Sequence, residues 1–303
     1  MAIKKHILVL GASGFIGKEV VKSLLNRKDI GTISVIQHRQ RPVESDRIHY
    51  FQGAIQSFNW SQLDANPPDH ILHLARLNAT RWGALGRRWS AEKGKRANQR
   101  LLRHLQKSGW TSRISYISGS LMYGDLGESV ATEHHPLRPT SFAKEYIHAE
   151  LPFVKDEGSQ LIRLPWVFGN ASWFEAFYLR PMKEKGKVPC YGNGQNQMSF
   201  IEVGDAGKLI VEHALHTPEK VVNLSMEPTI SQLEFCQNLA AVSHLPLELQ
   251  SNERLERQYP KAIVEAFTSS IALSSIHQQV FTEKATYQNP VTMLKTLLPS
   301  FLN

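Results

Sequence analysis

The sequence predicts an α/β fold in which a doubly wound parallel sheet is followed by a smaller, irregular C-terminal lobe. Three observations carry the prediction. Short apolar runs alternate with helical ones from Ile7 to Leu224; a glycine-rich turn joins the first such pair; and Trp166–Phe200 and Met226–Asn303 are loop-rich with short helical pieces. Runs of four to eight apolar residues without polar alternation suit strands buried on both faces, which is how parallel sheets are covered by helices.

The strand-like runs are Ile7–Leu10, Thr32–Gln37, Ile48–Phe51, His70–Leu74, Arg113–Ser118, Gln160–Leu164 and Val221–Leu224. Helical spacing covers Gly14–Arg27, Ser90–Lys107, Ser141–Asp156 and Asp205–Leu215, with Ser90 suited to cap the second helix and Gly109 to stop it. Residues 1–165 together with 201–225 are expected to form a Rossmann-type dinucleotide-binding domain, and 166–200 with 226–303 a substrate-binding lobe. A ligand cleft belongs at the carboxyl ends of such strands.

The first strand-like run leads into Gly11-Ala12-Ser13-Gly14-Phe15-Ile16-Gly17, and an amphipathic run to Arg27 follows. Glycines there permit a tight turn, allow backbone to approach a pyrophosphate, and leave that anion facing a helix N-terminus. In turns of this type an acidic residue about twenty positions on grips the ribose hydroxyl of NAD. Counting from Gly17 reaches Gln37, followed by His38, Arg39 and Arg41. No carboxylate stands there to repel a 2′-phosphate, and guanidiniums could clamp it, so NADP(H) is expected over NAD(H). The alternative is that these arginines only decorate a surface loop.

At 303 residues the chain can bury a sizeable core. Met1-Ala2-Ile3-Lys4-Lys5-His6 shows no leader pattern, no apolar run reaches about 20 residues, and Cys190 and Cys236 lack metal-ligand spacing. These features predict a cytoplasmic protein with no membrane association and no metal. The net charge of +8 is concentrated: from Arg76 to Arg103, seven arginines and two lysines face Glu92 alone. This segment reads as a solvated basic surface, as a rim for an anionic small molecule or, last, as a nucleic-acid surface; no recognised nucleic-acid motif accompanies Trp82 and Trp89, so nucleic acid is the least expected partner.

From Ile7 to Ser225 these residues resemble the extended short-chain dehydrogenase/reductase family of nucleotide-sugar epimerases, dehydratases and reductases. Gly11–Gly17 resembles its cofactor loop, and Asp69–Ala75 its fourth strand, whose end (Leu74, Ala75, Arg76) would lie along the cofactor. Asn98 matches an asparagine of the following helix, and Tyr116–Gly124 the serine-rich turn after strand five. Arg163–Gly169 resembles strand six, whose Leu164, Pro165 and Val167 would border the nicotinamide. Tyr191–Gly194 and Phe200–Asp205 match a further signature. Cofactor contacts implied by the resemblance are therefore Gly11, Ser13, Gly14, Phe15, Ile16, Gly17, Leu74, Ala75, Arg76, Lys144, Leu164, Pro165 and Val167, with His38 and Arg39 added from spacing.

The departures lie at the catalytic positions. The family pattern is Tyr-x-x-x-Lys, and here Thr140 precedes Lys144 by four residues. A threonine hydroxyl cannot be brought into the pKa range of an activated phenol, and general acid–base transfer contributes roughly 10²–10⁴-fold. Gly119 stands where a second active-site Ser or Thr is usual, between Ser118 and Ser120. Ala54 replaces an adenine-capping aspartate, and Met198 an arginine that contacts substrate diphosphate. Candidate catalytic groups are Lys144, Thr140 and Ser118, then Ser120, Ser141 and His135; His134, Tyr123 and Tyr146 are weaker, the last because on one continuous helix it would point away from Lys144.

The leading expectation is an NADP(H)-dependent oxidoreductase or epimerase-like enzyme acting on a small carbonyl- or hydroxyl-bearing molecule through a non-standard proton donor. A catalytically silent NADP(H)-binding sensor or scaffold is the alternative, and a redox-neutral enzyme in a repurposed cleft a third. The resemblance adds homodimerisation through two helices of the sheet domain.

Overall fold

The computed structural model describes residues 4–37, 44–77 and 83–302. All seven strand-like runs are strands, and all seven join one sheet. In chain order they are β1 (Lys5–Leu10), β2 (Ile30–Gln37), β3 (Ile48–Gln52), β4 (His70–His73), β5 (Arg113–Gly119), Ser159–Leu164 and Val221–Asn223. Across the sheet the order is Val221–Asn223, Ser159–Leu164, β5, β4, β1, β2, β3. β1 pairs in parallel with both β2 and β4, β2 with β3, and β4 with β5. Ile7, Leu8 and Val9 are wholly buried, as a central strand covered on both faces requires.

A chain of buried polar side chains crosses the sheet beneath this apolar packing. The Ser115 hydroxyl donates to the Gln160 side-chain oxygen at 2.7 Å, so it accepts from His70 Nε2 at 2.9 Å. His70 is thus a neutral Nε2–H tautomer, and burial pushes its pKa down to about 3.

Two helices differ from expectation. α1 spans Phe15–Leu25, as the spacing predicts, but α2 spans Gly83–Ser108. Ser90 is therefore no cap; it lies inside α2, buried with Ala91, Gly94, Ala97, Asn98, Leu101 and Leu105 on one face. Gly109 at φ +66° ends the helix in the left-handed region. The stretch expected as one helix from Ser141 to Asp156 is two: α3 (Ser141–Lys144) and α4 (Ile147–Lys155), interrupted at Glu145 and Tyr146. Glu145 is buried and bonded to the Arg87 guanidinium of α2, and a Cβ at Gly94 of α2 would sit 3.2 Å from the Ala149 methyl of α4. The α2–α4 contact takes precedence over helical continuity.

The chain divides into two compact units. The first is Met1–Ser118, Glu145–Ile162 and Ala206–Val222; the second is Gly119–Lys144, Arg163–Asp205 and Asn223–Asn303. Within the second, Trp166–Phe168 pairs with Phe200–Glu202 and Val188–Tyr191 with Leu247–Gln250. Phe200 and Phe235 stack at 5.1 Å, with Trp173 and Phe174 packed around them. The buried Asp205 carboxylate accepts the amides of Thr286 and Tyr287 at 2.7 and 2.9 Å, tying the C-terminal segment to the helix Val203–His216.

Candidate functional site

In the first unit β1 ends at Leu10, and the chain turns sharply before α1. Gly11 holds φ +89°, and a Cβ there would stand 2.8 Å from the Ala75 nitrogen beyond β4. Backbone therefore approaches backbone at a distance no side chain permits. A Cβ at Gly17 would lie 2.1 Å from the Gly11 carbonyl oxygen, so the return of α1 across the turn needs glycine as well. Gly14 precedes α1 in an extended conformation with no side-chain cap, and the first turn of α1 carries no acidic residue. A helix N-terminus without a cap or a carboxylate is suited to an anion.

Beside this turn lies a cavity of about 220 Å³, lined by Leu10, Gly11, Ser13, Ile36, Gly53, Ala54, Ile55, Gln56, Ala75, Arg76 and Leu77. Apolar walls, a glycine floor and one cation suit the adenosine and diphosphate portions of a dinucleotide, so the residues present fit such a group. Ala54 takes part in the lining, without the carboxylate common at its position. Ile36, Gly53, Ile55 and Gln56 were not legible as site residues in the sequence. Ile36 lies near the end of β2, Gly53, Ile55 and Gln56 follow β3, and only the sheet order brings those ends beside β1. Phe15 and Ile16 open α1 half-buried, and Leu74 is half-buried next to Ala75. His38 and Arg39 lie outside the described residues.

At the end of β4 and beyond it, buried polar side chains are linked to one another. His73 Nε2 donates to Asn98 Oδ1 at 2.9 Å, and Asn98 Nδ2 donates to the Ala149 carbonyl at 2.7 Å. Burial pushes the His73 pKa down to about 4, so the ring is neutral. The Ser118 hydroxyl donates to the Glu150 carboxylate at 2.5 Å, both groups buried. Tyr116 is buried, its pKa pushed up to about 12, and so stays a phenol at neutral pH.

Tyr146 departs most from expectation. Because the helix breaks before it, Tyr146 caps α4 with φ −112°, and its ring carries the Arg76 guanidinium 4.6 Å from its centroid. Burial raises the Tyr146 pKa, with Arg76 and Arg87 opposing. No local signal marks this break; the Glu145–Arg87 pairing that accompanies it spans 58 residues of sequence.

The other candidate residues belong to the second unit. Thr140 is 2 % exposed, and its hydroxyl accepts the Ala143 amide at 3.3 Å. The Lys144 amide donates to the Thr140 carbonyl at 2.9 Å, while the Lys144 side chain is exposed. The exposed Ser141 gives its amide to the Glu265 carboxylate at 3.1 Å. Ser120 is buried, and its carbonyl accepts the Tyr123 amide at 2.9 Å. His135 meets Tyr123 edge-on at 6.1 Å. The Tyr123 hydroxyl donates to Asn223 Oδ1 at 2.8 Å, a structural role. Leu164 and Val167 are buried on either side of Pro165. Met198 is buried and paired with Ile230. Both cysteines are buried, and a hydrogen bond from Cys236 holds the Cys190 thiol below its usual pKa. Among the described residues no cluster of metal-ligating side chains occurs, and no helix is long and apolar enough to cross a membrane.

Comparison with known proteins agrees with this architecture. Among solved structures, dTDP-glucose 4,6-dehydratase from Bacillus anthracis in complex with NAD superposes with a TM-score of 0.74 at 16% identity, over 98% of this chain and 96% of that one. UDP-N-acetylglucosamine 4-epimerase from Methanobrevibacter ruminantium, in complex with UDP-N-acetylmuramic acid, gives 0.74 at 15% identity, over 99% and 98%. An NAD-dependent NDP-hexosamine 5,6-dehydratase of tunicamycin biosynthesis gives 0.75 at 16% identity, over 98% and 97%. At these identities the likeness is one of fold. No curated protein matches the chain by sequence. The model of the NAD dependent epimerase/dehydratase family matches residues 7–225. With the glycine turn, the sheet order and this match in hand, the chain belongs to the NAD-dependent epimerase/dehydratase family.

Proposed function

We propose that the chain binds NADP(H) and acts as an oxidoreductase on a small carbonyl- or hydroxyl-bearing molecule, with a proton donor other than a residue at position 140. The observation that carries the reading is the 2.8 Å approach a Cβ at Gly11 would make to the Ala75 nitrogen, beside the cavity that Arg76 helps to line. When bound, a nicotinamide dinucleotide supplies the two-electron chemistry. The chain's own part is to bind and orient it. The opening turn of α1 suits the diphosphate, and for the second unit the resemblance implies that Leu164, Pro165 and Val167 border the nicotinamide and Lys144 its ribose. Preference for NADP(H) is supported by Gln37 at the end of β2, where no carboxylate opposes a 2′-phosphate, with His38 and Arg39 next in sequence. A cytoplasmic homodimer goes with this reading.

The solved relatives named above bind or act on sugar nucleotides. Met198, buried where an arginine would meet a substrate diphosphate, argues for a smaller substrate here. The test is a panel of small carbonyl compounds, anionic ones included, with NADPH oxidation followed by its near-ultraviolet absorbance. Turnover of any member supports the reading; binding without turnover across the panel overturns it.

That second outcome would favour a silent NADP(H) sensor or scaffold. One observation supports this alternative: the Thr140 and Ser118 hydroxyls are both engaged, with Ala143 and Glu150 respectively.

A further inference from the structure

We propose that Arg76, held on the ring of Tyr146, anchors the diphosphate of the dinucleotide and sets its affinity, not the choice between NADP and NAD. This rests on the dinucleotide reading above and adds to it a residue pair and a division of labour.

Arg76 is the one charged residue among those lining the cavity, and the lining includes no carboxylate to neutralise it. Its place in the sheet decides which part of an anionic ligand it meets. β4 and β2 lie on opposite sides of β1. Arg76 follows β4, whereas Gln37 ends β2, where ribose 2′-substituents are read. Neighbouring strands lie about 4.8 Å apart, so roughly 10 Å separates the two ends.

The stack on Tyr146 holds the guanidinium on the β4 flank. Tyr146 opens α4, and that helix is tied to β4 through Asn98, which bonds both Ala149 and His73. Glu145, adjacent to Tyr146, is bonded to Arg87 of α2. The ring is thus a fixed platform, set by the break between α3 and α4. With its carbon 4.6 Å from the Tyr146 ring centroid, the guanidinium still offers phosphate oxygens a planar fork of N–H groups, which a lysine in the same place could not. The opening turn of α1, reached from β1, supplies the facing donors.

The test is isothermal titration of the full chain with NADPH, NADH, ADP and adenosine. Arg76→Gln is expected to weaken NADPH, NADH and ADP alike, by about ten- to a hundredfold, and to leave adenosine unchanged. The NADPH-to-NADH ratio stays that of wild type. Tyr146→Leu weakens the same three ligands, and Tyr146→Phe, which keeps the ring, binds as wild type. Arg76→Lys, which keeps the charge without the fork, falls between wild type and Arg76→Gln and serves if the glutamine variant does not fold.

Loss of NADPH alone would place Arg76 at the 2′-phosphate and overturn the proposal. So would equal loss of adenosine, or wild-type binding by Arg76→Gln. If wild type itself bound neither dinucleotide, the functional reading would fail first. Wild-type binding that is insensitive to Arg76 sinks this inference alone.

Discussion

The Ala143 amide donates to the Thr140 hydroxyl at 3.3 Å, so the hydroxyl one helical turn before Lys144 is taken up in closing the α3 turn. Thr140→Val should cost about 0.5–2 kcal/mol through the lost cap and leave turnover of any substrate found unchanged. Thr140→Tyr places a phenol at a position 2 % exposed, where overpacking costs about 1–3 kcal/mol. We expect it to melt lower and to gain no turnover. Thermal melts and the carbonyl panel read both outcomes, and a clear gain of turnover by the tyrosine variant would show that position 140 does face the reacting atoms.

Gly119 allows a sharper test of the second altered position. A Cβ there would find the Leu164 carbonyl oxygen at 3.9 Å, an ordinary contact. Gly119→Ser should therefore fold within about 0.5 kcal/mol of wild type. Ser118→Ala, by contrast, removes the hydroxyl that donates to buried Glu150 and should cost about 1–3 kcal/mol. Denaturant melts of the two variants should differ accordingly.

The two buried histidines of the sheet give a pH dependence. His70 and His73 have pKa values lowered by burial to about 3 and about 4, against 6.5 when exposed. Between those values and 6.5 the unfolded chain holds protons that the folded chain does not, so stability falls as pH falls through that window. From pH 7 to pH 5 each should cost about 2 kcal/mol. His70→Gln and His73→Gln should each flatten the slope of stability against pH. Chemical denaturation at pH 5, 6 and 7 measures it, and a slope unchanged in both variants would assign the loss to other groups.

Gly11→Ala joins stability to binding. An alanine at φ +89° is strained, and its methyl would press on the Ala75 backbone, which has no side-chain end to yield. The variant should lose about 2 kcal/mol or more and most of its dinucleotide affinity. Retained nucleotide binding at wild-type strength would mean that the close approach is not what positions the ligand.

How much of this was legible in the sequence follows from where each signal lies. Ile7–Leu10 and its six counterparts are short runs whose strand character is written locally, and each became a strand of the sheet, β3 at its edge only partly buried. The glycine turn was legible because φ and close approach leave no choice of residue at Gly11 and Gly17. The start of α2 at Gly83 was missed because Leu85, Arg88 and Trp89 are exposed and show no buried stripe before Ser90. The break at Glu145 and Tyr146 was missed because its partner, Arg87, is remote, and with it went the stack of Arg76 on Tyr146. Ile36, Gly53 and Gln56 entered the cavity only through strand order, which no local pattern encodes.

The central claim is that this chain holds a nicotinamide dinucleotide at the β1–α1 turn, and direct titration of the purified protein with NADPH and NADH tests it. We expect saturable binding of both, with NADPH tighter by about tenfold, the worth of one charge-assisted pair. Failure to bind either would contradict the account.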